Sequence, residues 1–178
     1  MRTVHCRNCF FRCLAGNDME RIQTILHNQT YQEYIQKIET CELSRTFCRH
    51  NTVHFLDVAR IAWSINLEEK LMLEKEIIYA TALLHDIGRF VQYETGEDHA
   101  VVSGRLAPAI LSQCGFDDKE TEMIVEAIIQ HRNPDIQWDK NLNGIIYRAD
   151  KLSRACYFCK AEADCNWKGD KKNRKLLY

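Results

Sequence analysis

The chain has 178 residues, 46% of them hydrophobic and 28% charged, a composition that suits one soluble globular domain and excludes a fibrous or wholly disordered chain. Lysine and arginine number 24 against 25 aspartates and glutamates, a net charge of −1, so no overall field draws the protein to nucleic acid or to an anionic membrane. Only 2 prolines and 7 glycines interrupt the chain, which favours long helices over a many-turned β fold.

In chain order, residues 1–16 are a Cys-rich lead, with basic residues but no apolar core long enough for a signal peptide, since Phe10-Phe11 is broken at once by Arg12. Asp18 is placed to cap a helix carrying Ile22, Ile25 and Leu26, and Thr30 to start a second with Tyr34, Ile35 and Ile38 on one side. From about Arg49 to Ile65, His54, Val58, Ile61, Ala62 and Ile65 fall at helical spacing. Glu68 to Leu84 is predicted as one further helix, ending at His85-Asp86-Ile87-Gly88. Its apolar run, Ile77 to Leu84, is far too short to span a membrane. A helix from near Asp98 carries His99, Val102, Leu106 and Ile110. Asp117 followed by Glu120 forms a capping box for the next, with Ile124, Ala127, Ile128 and His131 on one stripe, closed by Asn133-Pro134. The last helix runs from about Leu142 to Arg154, with Ile146, Ala149, Asp150 and Ser153 near one face. No segment alternates long enough to be a strand, so the predicted class is all-α.

Four of these stripes share an anomaly. His54, His85, His131 and Asp150 each occupy a position whose helical neighbours, three and four residues away, are mainly apolar. One histidine on an apolar face is ordinarily a hydrogen-bonded core residue. Several imidazoles and acids converging in one core is a poor way to stabilise a fold, because a buried carboxylate is costly unless paired or bound to metal. Imidazole nitrogen with carboxylate oxygen suits Fe, Mn, Co, Ni or Zn better than Ca or Mg.

The order His54, then His85-Asp86, then Asp150 resembles that of the HD-domain metal-dependent phosphohydrolases. His54-Phe55-Leu56-Asp57-Val58-Ala59 is similar to the family's first motif, Ala82-Leu83-Leu84-His85-Asp86-Ile87-Gly88 to its central motif, and Tyr147-Arg148-Ala149-Asp150-Lys151 to its closing one. His99, in Asp98-His99-Ala100-Val101-Val102-Ser103-Gly104, and His131, in Ala127-Ile128-Ile129-Gln130-His131, resemble two further motifs of the two-metal members, notably the HD-domain hydrolases of diadenosine tetraphosphate. The cyclic-dinucleotide phosphodiesterases are less similar, since they have paired histidines where this chain has His131-Arg132 and Lys where it has Arg89.

The resemblance implies one metal held by His54, His85, Asp86 and Asp150, and a second held by His99 and His131 with Asp86 bridging. The expected architecture is a single HD-type helical bundle with Cys-rich terminal segments, a single globular unit. Residues 1–48 form a Cys-rich lead and N-terminal helices on the core, residues 49–154 the HD domain, and residues 155–178 a Cys-containing basic tail. Two divalent transition ions (Fe, Mn, Co or Ni, with Zn as an option) would clamp both ends of an in-line displacement at phosphorus and turn water into the attacking hydroxide.

Asp86, Arg89 and Lys151 are the expected catalytic residues. Arg89, Arg132, Lys151 and His50 are the candidates for gripping substrate, Arg being shaped for a bidentate hold on phosphate. For Arg132 a solvated surface charge is the competing reading, and for His50, four residues before His54, a surface histidine near a helix start is. Cys156, Cys159 and Cys165 are candidates for a structural zinc site, with Cys48, Cys13 or His5 as a further ligand. The alternative is half-buried thiols without a ligand.

Nine cysteines, an odd number in two clusters, do not make a paired secretory framework, so a reducing cytoplasm is expected. The stretch 168–175, with five basic residues, is expected to be a frayed, solvated tail without nucleic-acid or membrane binding. The function these features predict is hydrolysis of a phosphoester or phosphoanhydride in a nucleotide or other small phosphorylated molecule. An HD-fold di-iron oxygenase and a non-catalytic nucleotide sensor are the alternatives.

Overall fold

The computed structural model describes residues 19–167 and 169–178. The expected helix cap at Asp18 and the N-terminal cysteine cluster lie outside the described residues. Among the described residues every secondary-structure element is helical and there is no strand, the all-α class that was expected. Its α-helices are α1 (Glu20–His27), α2 (Gln29–Cys41), α3 (Thr52–Glu69), α4 (Lys75–Leu84), α5 (Arg89–Thr95), α6 (His99–Gln113), α7 (Asp118–Gln130) and α8 (Leu142–Leu152). None of them is long and apolar enough to cross a membrane.

The packing centres on α4. Ile77, Ile78, Ala80, Thr81, Ala82, Leu83 and Leu84 are all buried, so this helix is apolar nearly all round, as a helix wrapped by others must be. It touches α1, α3, α6, α7 and α8. Phe55, Val58, Ala62 and Ile65 of α3, Ile124, Ala127 and Ile128 of α7, and Ile145, Ile146 and Ala149 of α8 complete one core. Ile22 and Ile25 of α1 and Tyr31 and Ile35 of α2 join that same core.

Helix starts follow local polar chemistry. Asn28, Asn51, Asp98, Asp117 and Asn141 each accept a hydrogen bond from a backbone N–H of the first turn, replacing the partner that a helix N-terminus lacks. The capping box of Asp117 and Glu120 forms as expected.

The helix predicted from Glu68 to Leu84 is instead two pieces. α3 continues to Glu69, and the chain turns through Lys70 and Met72, both at positive φ, before α4 begins. No Gly or Pro marks this break. The buried amide of Asn66 accepts from the N–H of Leu73 and donates to its carbonyl, taking over the bonds that a continuous helix would have made. Helix α5 was also unforeseen. It follows directly on the His85–Gly88 turn, and Gly88 is required there because a Cβ would lie 2.6 Å from the backbone nitrogen of Ser103. The tail is tied down in part rather than frayed. Asn173 Nδ2 lies within hydrogen-bond distance of the carbonyls of Lys151, Leu152 and Arg154, supplying donors where the end of α8 has open acceptors.

Candidate metal centre

Helix ends meet at one place beside α4. His54 sits in the first turn of α3, His85 and Asp86 just past α4, His99 at the start of α6, His131 just past α7, and Asp150 in the last turns of α8. The C-termini of α4 and α7 direct their partial negative charge here, which favours a cation.

Each imidazole is oriented by its Nδ1. His85 Nδ1 lies 2.7 Å from the Ala82 carbonyl, His131 Nδ1 2.6 Å from the Ile128 carbonyl, and His99 Nδ1 2.7 Å from Gln92 Oε1. Ser153 donates its hydroxyl hydrogen to the Asp150 carbonyl and therefore accepts from His54 Nδ1 at 3.2 Å. With Nδ1 donating in all four rings, the four Nε2 lone pairs turn inward.

They turn toward one another and toward carboxylates. His99 Nε2 is 2.9 Å from Asp86 Oδ1, His131 Nε2 is 3.6 Å from the same oxygen, and the two nitrogens are 3.3 Å apart. On the other side of His85, its ring nitrogen, a ring nitrogen of His54 and a carboxylate oxygen of Asp150 all lie within 4.8 Å of one another. A third set of that kind joins His85, Asp86 and His131. His54 Nε2, His85 Nε2 and Asp86 Oδ1 are buried without a hydrogen-bond partner. Lone pairs facing lone pairs in a buried space repel, and a cation between them converts that repulsion into ligation. The residues therefore fit divalent metal.

The electrostatics agree. Burial lowers the pKa of His54 and His99 and takes His85 down to about 3, leaving neutral rings, the state that binds metal. Burial works to raise Asp86, but the groups around it, His85 and Arg89 foremost, hold it well below the usual carboxylate range. Asp150 is likewise lowered against the effect of burial, by Lys151 and then Arg154.

The other expected residues surround this set. Lys151 contacts the Asp150 carboxylate and donates to the His131 carbonyl at 3.2 Å, joining the ends of α8 and α7. Arg89 Nε lies 3.7 Å from Asp86 Oδ2. Arg132 pairs with Asp98 at 2.6 Å on the surface. His50 differs from its surface reading. It precedes the Asn51 cap of α3, is 6% exposed, and lies 3.8 Å from Asp86 Oδ2 and 2.6 Å from Arg89 Nη2.

Glu42, Tyr93, Gln92, Ser153 and Arg154 also touch this network. Of these, only Ser153, which shares a helix face with Asp150, and Arg154, four residues beyond it, carried a sequence signal. Glu42 lies in a different part of the chain from every motif. Its carboxylate, against the effect of burial, is held at about 2 by hydrogen bonds with His50 and Tyr93.

Cys156, Cys159 and Cys165 are half-buried thiols. The backbone turn at Cys156 brings Cys159 N within 3.2 Å of the Cys156 carbonyl. Burial raises the Cys48 thiol, which also senses Arg154, Cys156 and Cys159. Among the described residues, the groups with metal-ligand spacing contain no cysteine. The remaining suggested partners, Cys13 and His5, are outside the described residues.

The model of the HD domain matches residues 52–155. An uncharacterized protein of Clostridium beijerinckii is 46% identical over 160 residues, covering 90% of this chain and 100% of its own length. Ribonuclease Y of Rubrobacter xylanophilus is 30% identical over 102 residues, which are 57% of this chain and 18% of that protein. Among solved structures, a predicted HD superfamily hydrolase from an uncultured Thermotogales bacterium superposes with a TM-score of 0.59 at 23% identity, over 92% of this chain and 87% of that one, a likeness of fold. The matched residues run from the first turn that carries His54 to just beyond Asp150, and on that match the chain belongs to the HD-domain family.

Proposed function

We propose that this protein is a metal-dependent phosphohydrolase that cleaves a phosphoester or phosphoanhydride bond in a nucleotide or another small phosphorylated molecule. The observation that carries the reading is the set of four imidazoles, buried in His85, His99 and His131 and half-buried in His54, each with Nδ1 held outward and Nε2 aimed at Asp86 or Asp150. His54, His85, Asp86 and Asp150 would hold one divalent transition ion, and His99 and His131, with Asp86 shared, the second. Such a pair, when bound, supplies the Lewis acidity that activates water and stabilises charge building on phosphate oxygens.

The protein's own groups do the rest. Arg89 offers a buried Nε–H that has no partner, set beside Asp86 and suited to a phosphate oxygen. Lys151 and Arg154 hold Asp150 ionised and in place. Lys151 adds a second positive charge near the phosphate, and Arg132, at the rim, a third once it leaves Asp98. No nucleophilic Ser or Cys is required. The near-balanced charge of the chain suits a small substrate rather than a long polyanion, even though one relative is a ribonuclease.

The test is hydrolysis of p-nitrophenyl phosphate and of a dinucleoside polyphosphate by protein loaded with Mn²⁺, Fe²⁺ or Co²⁺. Turnover that disappears in Asp86→Asn and returns on reloading stripped wild-type protein is expected. No turnover of either compound by protein with verified metal content overturns the reading.

A further inference from the structure

Glu42 is the most deeply buried charged group outside the motifs, with 2% exposure. It lies just past α2, well before the central motif in the chain, yet it is bonded into the wall of the metal centre. Its Oε2 accepts from the backbone N–H of His50 at 2.7 Å. Its Oε1 lies 2.5 Å from His50 Nδ1 and accepts from the Tyr93 hydroxyl at 2.5 Å. His50 Nε2, on the far side of the ring, lies 2.6 Å from Arg89 Nη2. A guanidinium only donates and stays protonated, so His50 Nε2 must accept, and Nδ1 must carry the hydrogen that goes to Glu42. The direction of every hydrogen bond from Tyr93 and Glu42 to Arg89 is thereby fixed.

The other end of the fork is held too, since Arg89 Nη1 donates to Gln92 Oε1 at 3.0 Å. With both Nη atoms engaged, Nε is left as a buried donor without a partner, 3.7 Å from Asp86 Oδ2. A long, flexible side chain is thus reduced to one orientation, with its unused donor beside the metal centre.

We infer that Glu42, His50 and Tyr93 form a positioning relay whose task is to hold Arg89 oriented for an oxygen of a phosphoryl anion. The inference rests on the proposal that the site takes a phosphoryl group. Glu42 and Tyr93 touch neither substrate nor metal and act through His50. Held in advance, the guanidinium loses little freedom on binding. Without the relay, Arg89 keeps its charge and loses its aim.

Glu42→Gln tests this with no change of size. A glutamine offers one acceptor atom where His50 requires two, and its amide hydrogens oppose the N–H groups of His50. The ring must turn or carry its hydrogen on Nε2, and either change releases Arg89. The measurement is binding of inorganic phosphate to the Mn²⁺-loaded full-length protein by titration calorimetry, with metal content checked for each variant. Glu42→Gln is expected to weaken phosphate binding about tenfold or more, and Tyr93→Phe about threefold, at unchanged metal content. In an Arg89→Ala background both substitutions should have no further effect, because a relay without its target has nothing to position.

Equal losses with and without Arg89 would mark Glu42 as a general support of the fold and overturn the inference. No loss in Glu42→Gln would overturn it also. If Glu42→Gln does not fold, the Tyr93→Phe cycle decides alone. Loss of the relay effect with aryl phosphate hydrolysis intact refutes only the positioning role. Absence of hydrolysis in fully metal-loaded wild type refutes the function instead.

Discussion

On the proposed two-ion reading, the two metal places should fail separately. His54 and Asp150, 3.6 Å apart at their nearest atoms, serve one place. His99 and His131, whose ring nitrogens are 3.3 Å apart, serve the other. Asp86 lies within 3.6 Å of both His99 and His131 and 3.4 Å of His85, so it belongs to both. Deleting a group that merely orients a ligand typically costs about 10–100-fold in metal affinity, and deleting the ligand itself should cost at least the upper figure, about 2.8 kcal/mol. Protein purified without chelator, reloaded with a small excess of Mn²⁺ and desalted, should then carry about two ions per chain. His54→Ala and His131→Ala should each retain about one, and Asp86→Asn should retain neither in full. Elemental analysis against protein concentration reads the result directly. Should His54→Ala and His131→Ala both keep the full complement, or should wild type take one ion that His131→Ala does not affect, the arrangement of two places around Asp86 is wrong.

Further expectations follow from neighbouring features. Gln92→Ala frees His99 Nδ1 and should weaken one of the two ions about 10–100-fold while leaving the other, a biphasic Mn²⁺ titration in place of two tight sites. Because burial holds His85 at about 3 and lowers His54 and His99, protons compete weakly for these rings. Metal release on acidification should have its midpoint well below pH 6.5, where a free imidazole would take up a proton; release centred on pH 6.5 would contradict the burial argument. Tyr31 is buried with an unpartnered hydroxyl, and burial raises its pKa well above the usual phenol range. Its folded pKa thus lies above its unfolded one, so the cost of ionising it is absent below pH 10 and stability falls by about 1.4 kcal/mol per unit as pH rises above 10. Tyr31→Phe should gain about 1 kcal/mol at pH 7 and show a shallower alkaline decline in urea melts; parallel declines would refute this. Gly88→Ala would set a Cβ 2.6 Å from Ser103 N and 2.7 Å from Val102 Cβ, forcing α5 away from α6 at a cost of about 1–3 kcal/mol, visible as a lower unfolding midpoint.

What could be read from the sequence and what could not divide along a physical line. The helical class, the capping residue Asp117 and the inward positions of His54, His85, His131 and Asp150 are encoded locally, by spacing of three and four within one helix. A polar residue among apolar neighbours at that spacing is visible before any folding. The break between α3 and α4 was not visible, because it is made by the side chain of Asn66 bonding to Leu73, with no Gly or Pro to mark it. His50 illustrates the same limit. Its spacing of four from His54 suggested a shared helix face, but Asn51 caps the helix between them, so His50 is delivered to the site by a loop.

Glu42 shows why the periphery of a site is harder to read than its ligands. Metal ligands must be particular residue types, and of the candidates here His54, His85, His131 and Asp150 each stand out on a helical stripe. The groups that orient them need only present one donor or acceptor, and most residue types and the backbone can do that. His85 and His131 use main-chain carbonyls of Ala82 and Ile128 for the purpose, which no side-chain pattern can reveal. His99 uses Gln92, and His50 uses Glu42 from another part of the chain. The candidate ligands on those stripes are therefore legible from type and spacing, whereas the orienting set depends on which helix ends meet. The Cβ-free contact at Gly88 is part of what fixes that meeting, since it lets α5 lie close enough to α6 for Arg89, Gln92 and His99 to share one wall.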